Sequence, residues 1–240
     1  MANHVSNRPQ NIHTWVASEL GSRIVSGYYA PGEYIPNEIT ICEELEVSRT
    51  SLREAFKVLT AKGLIESRPK LGTRIRERRY WNMFDPVILG WFSESKPSPE
   101  FYTSLYEIRA VFEPAAAELA AKKCTPEQLE QIKECYYKME NAELGTDEIY
   151  TTDIDFHMAI LDGTNNEFMV SLGGSIQSAL LQVFRVSSNF ADDFTESLPG
   201  HKAIYTAIEA GDSEGAKAAM TSLLSTSQET VNKNVDSRKN

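Results

Sequence analysis

Apolar residues Ile12, Trp15, Val16, Leu20 and Ile24 recur near every 3.6 positions, which predicts a helix over 11–26. Gly27 closes it, and Pro31-Gly32 marks a turn. A short helix follows over 37–45, with Ile39, Ile41, Cys42 and Leu45 as its apolar set. Ser48 is a suitable N-cap for a third helix over 49–62, in which Leu52, Ala55, Phe56 and Leu59 share a face. After Gly63, residues 64–67 and 73–76 read as two short strands joined by Arg68-Pro69-Lys70-Leu71-Gly72. Three helices and then a hairpin is the order of a winged helix-turn-helix. From residue 85 onward the periodicity is helical, over 85–95, 99–123, 126–142, 147–163, 166–187, 198–210 and 213–235. Breaks are expected at Pro97-Ser98-Pro99, Thr125-Pro126, Gly145, Gly163-Thr164-Asn165-Asn166, Pro199-Gly200 and Gly211-Asp212.

The fold class is therefore mainly α, a winged helix-turn-helix followed by an all-helical bundle. Three segments are expected: the winged helix-turn-helix over 1–78, a linker with a linking helix over 79–98, and an all-helical domain over 99–240. No apolar run approaches the roughly 20 residues of a membrane helix. The opening MANHVSNRPQ has no apolar signal-peptide core, so a cytoplasmic location is expected. Three cysteines without a C-x-x-C pair argue against a disulfide framework or a zinc knuckle.

A net charge of −10 first argues against nucleic acid. The distribution reverses that. Residues 1–80 hold 12 Lys/Arg against nine Asp/Glu, and residues 81–240 hold 12 against 25. A basic head on an acidic body suits one domain that meets phosphate and another that does not.

The turn and helix from Glu46 to Ala55 carry the candidate DNA contacts. Arg49 and Arg53 are four apart and share a face, and Lys57 extends the stripe. Ser48, Thr50 and Ser51 place hydroxyls at a helix N-terminus, where backbone N–H groups favour phosphate. Recognition helices present such residues to the major groove, where arginine grips guanine in two places. Lys70 and Gly72 at the hairpin tip suit a wing that approaches the DNA backbone. An ordinary surface helix bearing two arginines is the plainer reading, and the preceding helix and the hairpin count against it.

Residues 20–76 resemble the GntR superfamily of transcription regulators. The matching stretches include Ile24-Val25-Ser26-Gly27-Tyr28, Pro36-Asn37-Glu38, Val47-Ser48-Arg49-Thr50, Leu52-Arg53-Glu54-Ala55, Gly63-Leu64-Ile65 and Gly72-Thr73. The resemblance implies DNA contacts at Ser48, Arg49, Thr50 and Arg53. It departs at Ile39, where a DNA-contacting arginine is common, and at Lys70, where glycine is common.

Residues 99–235 resemble the FCD-type effector domain of the FadR-like branch. The marks are Glu107-Ile108-Arg109-x3-Glu113, Asp153-x3-His157, Gly163-Thr164-Asn165-Asn166, and His201-Lys202-Ala203-Ile204 through Gly211-Asp212. Trp81-Asn82 and Asp85 to Trp91 are similar to the galactonate-operon-repressor type within that branch. Asp153 and His157 are i, i+4 on a face shared with Phe156, Ile160 and Leu161, and His201 shares one with Ile204, Tyr205 and Ile208. A carboxylate and two imidazoles facing a core are costly without partners, and one divalent metal (zinc, nickel or manganese) satisfies all three. Satisfied core histidines are the alternative. The family's fourth ligand, a histidine, falls on Leu223 here. Arg109 is either a partner of Glu113 one turn on or, by the resemblance, a clamp for an effector carboxylate, with Arg185 as a second candidate. Tyr106, Gln177, Ser178, Gln182 and Asn189 are polar candidates for a polyol chain, which helix phase alone does not sort.

These readings converge on a regulator, a repressor of a carbohydrate-acid operon. It would bind a palindromic operator as a homodimer, be released by an aldonate or hexuronate, and have no membrane partner. Two alternatives stay open: a metal-dependent enzyme using Asp153, His157 and His201, and an acyl-CoA-responsive regulator. The helical domains, together with linker aromatics Tyr80, Trp81 and Trp91, are expected to supply the apolar contacts of the dimer.

Overall fold

The computed structural model describes residues 11–94, 99–185 and 190–237, with side chains outside the description at 93–94, 99–100, 178, 181–185, 190–193 and 230–237. The chain forms two compact units that divide between Lys96 and Pro97.

The first unit runs α1 (Ile12–Val25), α2 (Glu38–Glu44), α3 (Arg49–Ala61), β1 (Ile65–Arg68), β2 (Gly72–Ile75), a 3-10 turn (Arg78–Tyr80) and α4 (Pro86–Glu94). Local chemistry sets the starts of its helices. Asn37 Oδ1 accepts from the amides of Ile39 and Thr40 and so begins α2. Ser48 Oγ accepts from the Ser51 amide and begins α3. Asp85 Oδ1 accepts from the Val87 amide ahead of α4. Leu20, Ile24, Ile41, Leu52, Leu59, Leu64, Ile65 and Ile75 fill the core. β1 and β2 pair antiparallel with Ile65 opposite Ile75, which turns both isoleucines inward. The Ile35 amide donates to the Thr73 carbonyl at 3.0 Å, adding a short third edge to the hairpin.

Trp81 and Trp91 are only 5% and 4% exposed within this unit, so the expectation that they supply dimer contacts gives way to packing. Trp91 lies on α1: a Cβ at Gly21 would come within 2.5 Å of its ring, and its Nε1 donates to Ser18 Oγ at 3.0 Å. Trp81 Nε1 donates to the Arg76 carbonyl. Tyr80 remains half exposed.

The second unit comprises α5 (Pro99–Lys123), α6 (Pro126–Glu140), α7 (Glu148–Gly163), α8 (Glu167–Arg185), α9 (Phe190–Glu209) and α10 (Ser213–Ser237). α10 packs along α5 and α9, while α7 packs against α5, α6 and α8. Thr125 and Gln128 form a reciprocal capping box at the start of α6. Asn166 Oδ1 accepts from the Phe168 amide, as its position before α8 suggests. No helix among the described residues is long and apolar enough to cross a membrane.

One predicted break is absent. α9 begins at Phe190 and runs through Pro199-Gly200, where the pattern placed a helix start. Proline withdraws one intrahelical donor. Core anchors lie on both sides of it, Phe194 before and Ile204, Tyr205 and Ile208 after, and they hold the two halves as one helix.

Candidate functional site

In the first unit, Ser48, Arg49, Thr50 and Arg53 are all exposed at the N-terminal end of α3. Leu52, Ala55 and Leu59 hold the opposite face of that helix in the core. The two arginines are not equivalent. Arg49 has no side-chain partner among the described residues, whereas Arg53 Nε lies 3.2 Å from Glu38 Oε2. Lys57 pairs with Glu54 at 2.7 Å. Glu38 is thus a contributor that the sequence reading passed over. Ile39 is 52% exposed, so the familiar basic contact there is replaced by an apolar surface.

At the wing tip Lys70 has φ of 65°, in the left-handed region that explains why glycine is common at this point. Gly72 is exposed at φ of 103°. Lys70→Gly therefore separates the charge from the turn. A non-glycine residue in the left-handed region costs on the order of 1 kcal/mol, so thermal melting should be unchanged or slightly higher. Affinity for operator and random DNA should fall together, with a salt slope smaller by about one contact. A loss confined to the operator would contradict a backbone role.

The second unit holds a buried polar cluster. Asp153 and His157 of α7 and His201 of α9 are 6%, 2% and 2% exposed. One potential ligand atom from each lies within 4.8 Å of the others. His201 Nδ1 is 3.0 Å from the Ser197 carbonyl. A carbonyl can only accept, so Nδ1 carries the proton and Nε2 is the ring nitrogen turned to Asp153 Oδ1, 3.2 Å away. That approach is close enough for an ion pair but lacks hydrogen-bond geometry, which leaves Nε2 buried and unsatisfied among the described residues. A bare nitrogen lone pair facing a carboxylate oxygen needs a cation between them, a proton or a metal. One ring nitrogen held by a carbonyl with the other presented to a cation is the usual support for a metal-bound imidazole.

α5 completes the cluster. Arg109 and Glu113 are both almost wholly buried, with Nε 2.7 Å from Oε1. Glu113 Oε2 lies 2.8 Å from His157 Nδ1, and Gln177 Nε2 of α8 donates to Glu113 Oε1 at 3.3 Å. Burial alone would raise the Glu113 carboxyl, but the Arg109 guanidinium first, and then the adjacent His157 imidazole, pull it down to about 2. Asp153 is likewise opposed by burial and held below the usual range by His201, His157 and Arg109. Glu113 raises Arg109 further against its own desolvation.

The sequence reading thus brought together Asp153, His157, His201 and Arg109, while it left Glu113 as no more than the i+4 partner of Arg109. Its position on the inward face of α5 was the available signal. For Arg185, a residue of α8, and likewise for Ser178, Gln182 and Asn189, the side chains lie outside the described residues. Leu223 of α10 is buried beside α9, and a Cβ at Gly200 would come within 2.9 Å of its Cδ1. A side chain at 223 therefore lies against the residue next to His201.

Residues 14–75 match the model of bacterial regulatory proteins of the gntR family, and residues 104–226 match the FCD domain. The chain is 32% identical over 209 residues to the galactonate operon transcriptional repressor of Escherichia coli K12, covering 87% of this chain and 91% of that one. The chain belongs to the GntR family. A second relative, the HTH-type transcriptional regulator LutR of Bacillus subtilis, is 29% identical over 202 residues, covering 82% of this chain and 90% of its own. A solved structure of Lar from Listeria monocytogenes superposes with a TM-score of 0.65 at 18% identity, over 95% of this chain and 98% of that one. That likeness concerns the fold alone. The GntR head and FCD body make the protein a transcription regulator that binds DNA and carries an effector-binding domain, and the metalloenzyme alternative falls with that.

Proposed function

We propose that this GntR-family protein is a repressor of a carbohydrate-acid operon. In this reading a cytoplasmic homodimer binds a palindromic operator through Ser48, Arg49, Thr50, Arg53 and the Lys70–Gly72 wing tip. A sugar acid, an aldonate or hexuronate, binds in the helical unit and releases it. The observation that carries the reading is the buried His201 Nε2 facing Asp153, with Arg109 in the same cluster. The relative that represses a galactonate operon supports the ligand class. A dimer follows from symmetry, because one reader head covers one half-site.

Charge balance favours a metal together with a monoanion. Metal-ligating imidazoles are neutral. With both neutral, Asp153 and Glu113 outweigh Arg109 by one negative charge. A divalent cation reverses that to one positive charge, and a single carboxylate restores neutrality in a site where net charge is costly. Asp153, His157 and His201 would hold the ion, zinc, nickel or manganese, which supplies positive charge and open positions for ligand oxygens. With leucine at 223, this chain offers one protein ligand fewer than the usual set.

Chelator-stripped protein titrated with zinc, nickel and manganese tests the site. One ion per chain should bind and raise the melting temperature, with about 2.7 kcal/mol gained at a hundredfold excess over Kd. Asp153→Ala and His201→Ala should abolish the effect. Leu223→His should tighten binding by more than the roughly tenfold that an outer-shell partner is worth. No ion bound, with melting unaltered by any of the three, would reduce the cluster to a polar core.

A further inference from the structure

Gln177 is 2% exposed, yet its amide is only half satisfied. Its Nε2 donates to Glu113 Oε1 at 3.3 Å, while Oε1 meets no donor among the described residues. The orientation is not arbitrary. Glu113 Oε1 already accepts from Arg109 Nε at 2.7 Å, so it is an acceptor and the NH2 group must face it. The carbonyl is thereby turned away and left as an acceptor without a proton to receive. Gln177 joins the cation cluster through one shared neighbour, because Glu113 also touches His157. A buried amide oxygen with no donor carries a desolvation cost that folding leaves unrelieved.

We propose that Gln177 is a specificity residue of the effector site, whose amide oxygen accepts a hydrogen bond from a hydroxyl of the bound acid. The inference rests on the reading of a metal-assisted sugar-acid site and adds to it. The carboxylate of the ligand answers the positive charge, and Gln177 demands a donor beside it. A site that leaves a buried acceptor unpaired rejects a ligand lacking the matching hydroxyl far more strongly than an apolar pocket rejects an altered alkyl group. The ligand class narrows to hydroxy acids, with unsubstituted or acyl-chain acids disfavoured. Because α5 fixes Glu113 and Glu113 fixes the amide, the acceptor is oriented before the ligand arrives.

The test uses the full-length protein with manganese present. A panel of aldonates and hexuronates, D-galactonate among them, is screened by thermal shift, and each binding acid is titrated by calorimetry beside its monodeoxy analogues. At least one monodeoxy analogue should bind wild type tenfold or more weakly than its parent. In Gln177→Met, which keeps the bulk and removes the acceptor, that ratio should collapse toward one, because the parent weakens and the analogue does not. Melting of the ligand-free Gln177→Met protein controls for folding. A ratio that persists in Gln177→Met, or parent acids that bind it as tightly as wild type, would overturn the role of Gln177 and leave the sugar-acid reading intact. A panel in which no hydroxy acid binds wild type would overturn that reading and this inference with it.

Discussion

Replacing Glu113 with leucine should destabilise the helical unit by roughly 3–5 kcal/mol, because it takes the directly bonded counter-charge from the buried Arg109 guanidinium. Arg109→Leu should cost less, because Glu113 keeps His157 and Gln177 beside it. The double replacement should cost much less than the two singles added, since the buried charge and its counter-charge leave together. The residual cost reports what His157 and Gln177 lose when Glu113 goes. Acid denaturation gives an independent view. Folding lowers the Glu113 carboxyl from its ordinary 4.5 to about 2. Its stabilisation is therefore complete above the unfolded value and is lost as pH falls from there through about 2. In Glu113→Leu that part of the acid slope should disappear. Single variants that melt like wild type would show that the pair is dispensable, and the charge argument for a metal and a monoanion would go with it.

The other large effect is on DNA. Arg49→Ala and Arg53→Ala should each cost about 1–3 kcal/mol of operator affinity, with little change for random DNA. The structure orders the two. Arg49 has no side-chain partner among the described residues, while Arg53 is shared with Glu38 and should be the milder loss. Glu38→Gln should raise affinity for any DNA by removing a negative charge beside the phosphates. Anisotropy titrations on operator and scrambled duplexes at two salt concentrations separate these outcomes. Intact operator affinity in the Arg49→Ala, Arg53→Ala double variant would remove α3 as the reading element.

The reader head was legible because its signals are local. Asn37 and Ser48 cap the helices they precede, and each short strand of the hairpin carries one isoleucine, Ile65 facing Ile75. The i, i+4 spacings of Asp153 with His157 and of Arg109 with Glu113 were also readable, since helical phase fixes them within one element. What was not readable spans elements. Glu113 meets His157 across 44 positions of chain and Gln177 across 64, so no periodicity links them. Trp81 and Trp91 looked like surface linker aromatics because their burial depends on Gly21 and the carbonyl of Arg76, which a local pattern does not connect. Pro199 was read as a break from propensity alone, and the packing of Phe194 and Ile204 on one core outweighs it.

The central claim is that the polar cluster of the helical unit controls the grip of the reader head. A ligand shifts the DNA-bound population tenfold only by preferring one state by about 1.4 kcal/mol, and removing the site must remove the shift. The direct measurement is operator affinity of purified protein with manganese, titrated with sugar acids, in wild type and in His201→Ala. One sugar acid should weaken operator binding at least tenfold in wild type and leave His201→Ala on the DNA. Release by a long-chain acyl-CoA with no response to any sugar acid, or equal release of His201→Ala, would contradict the account.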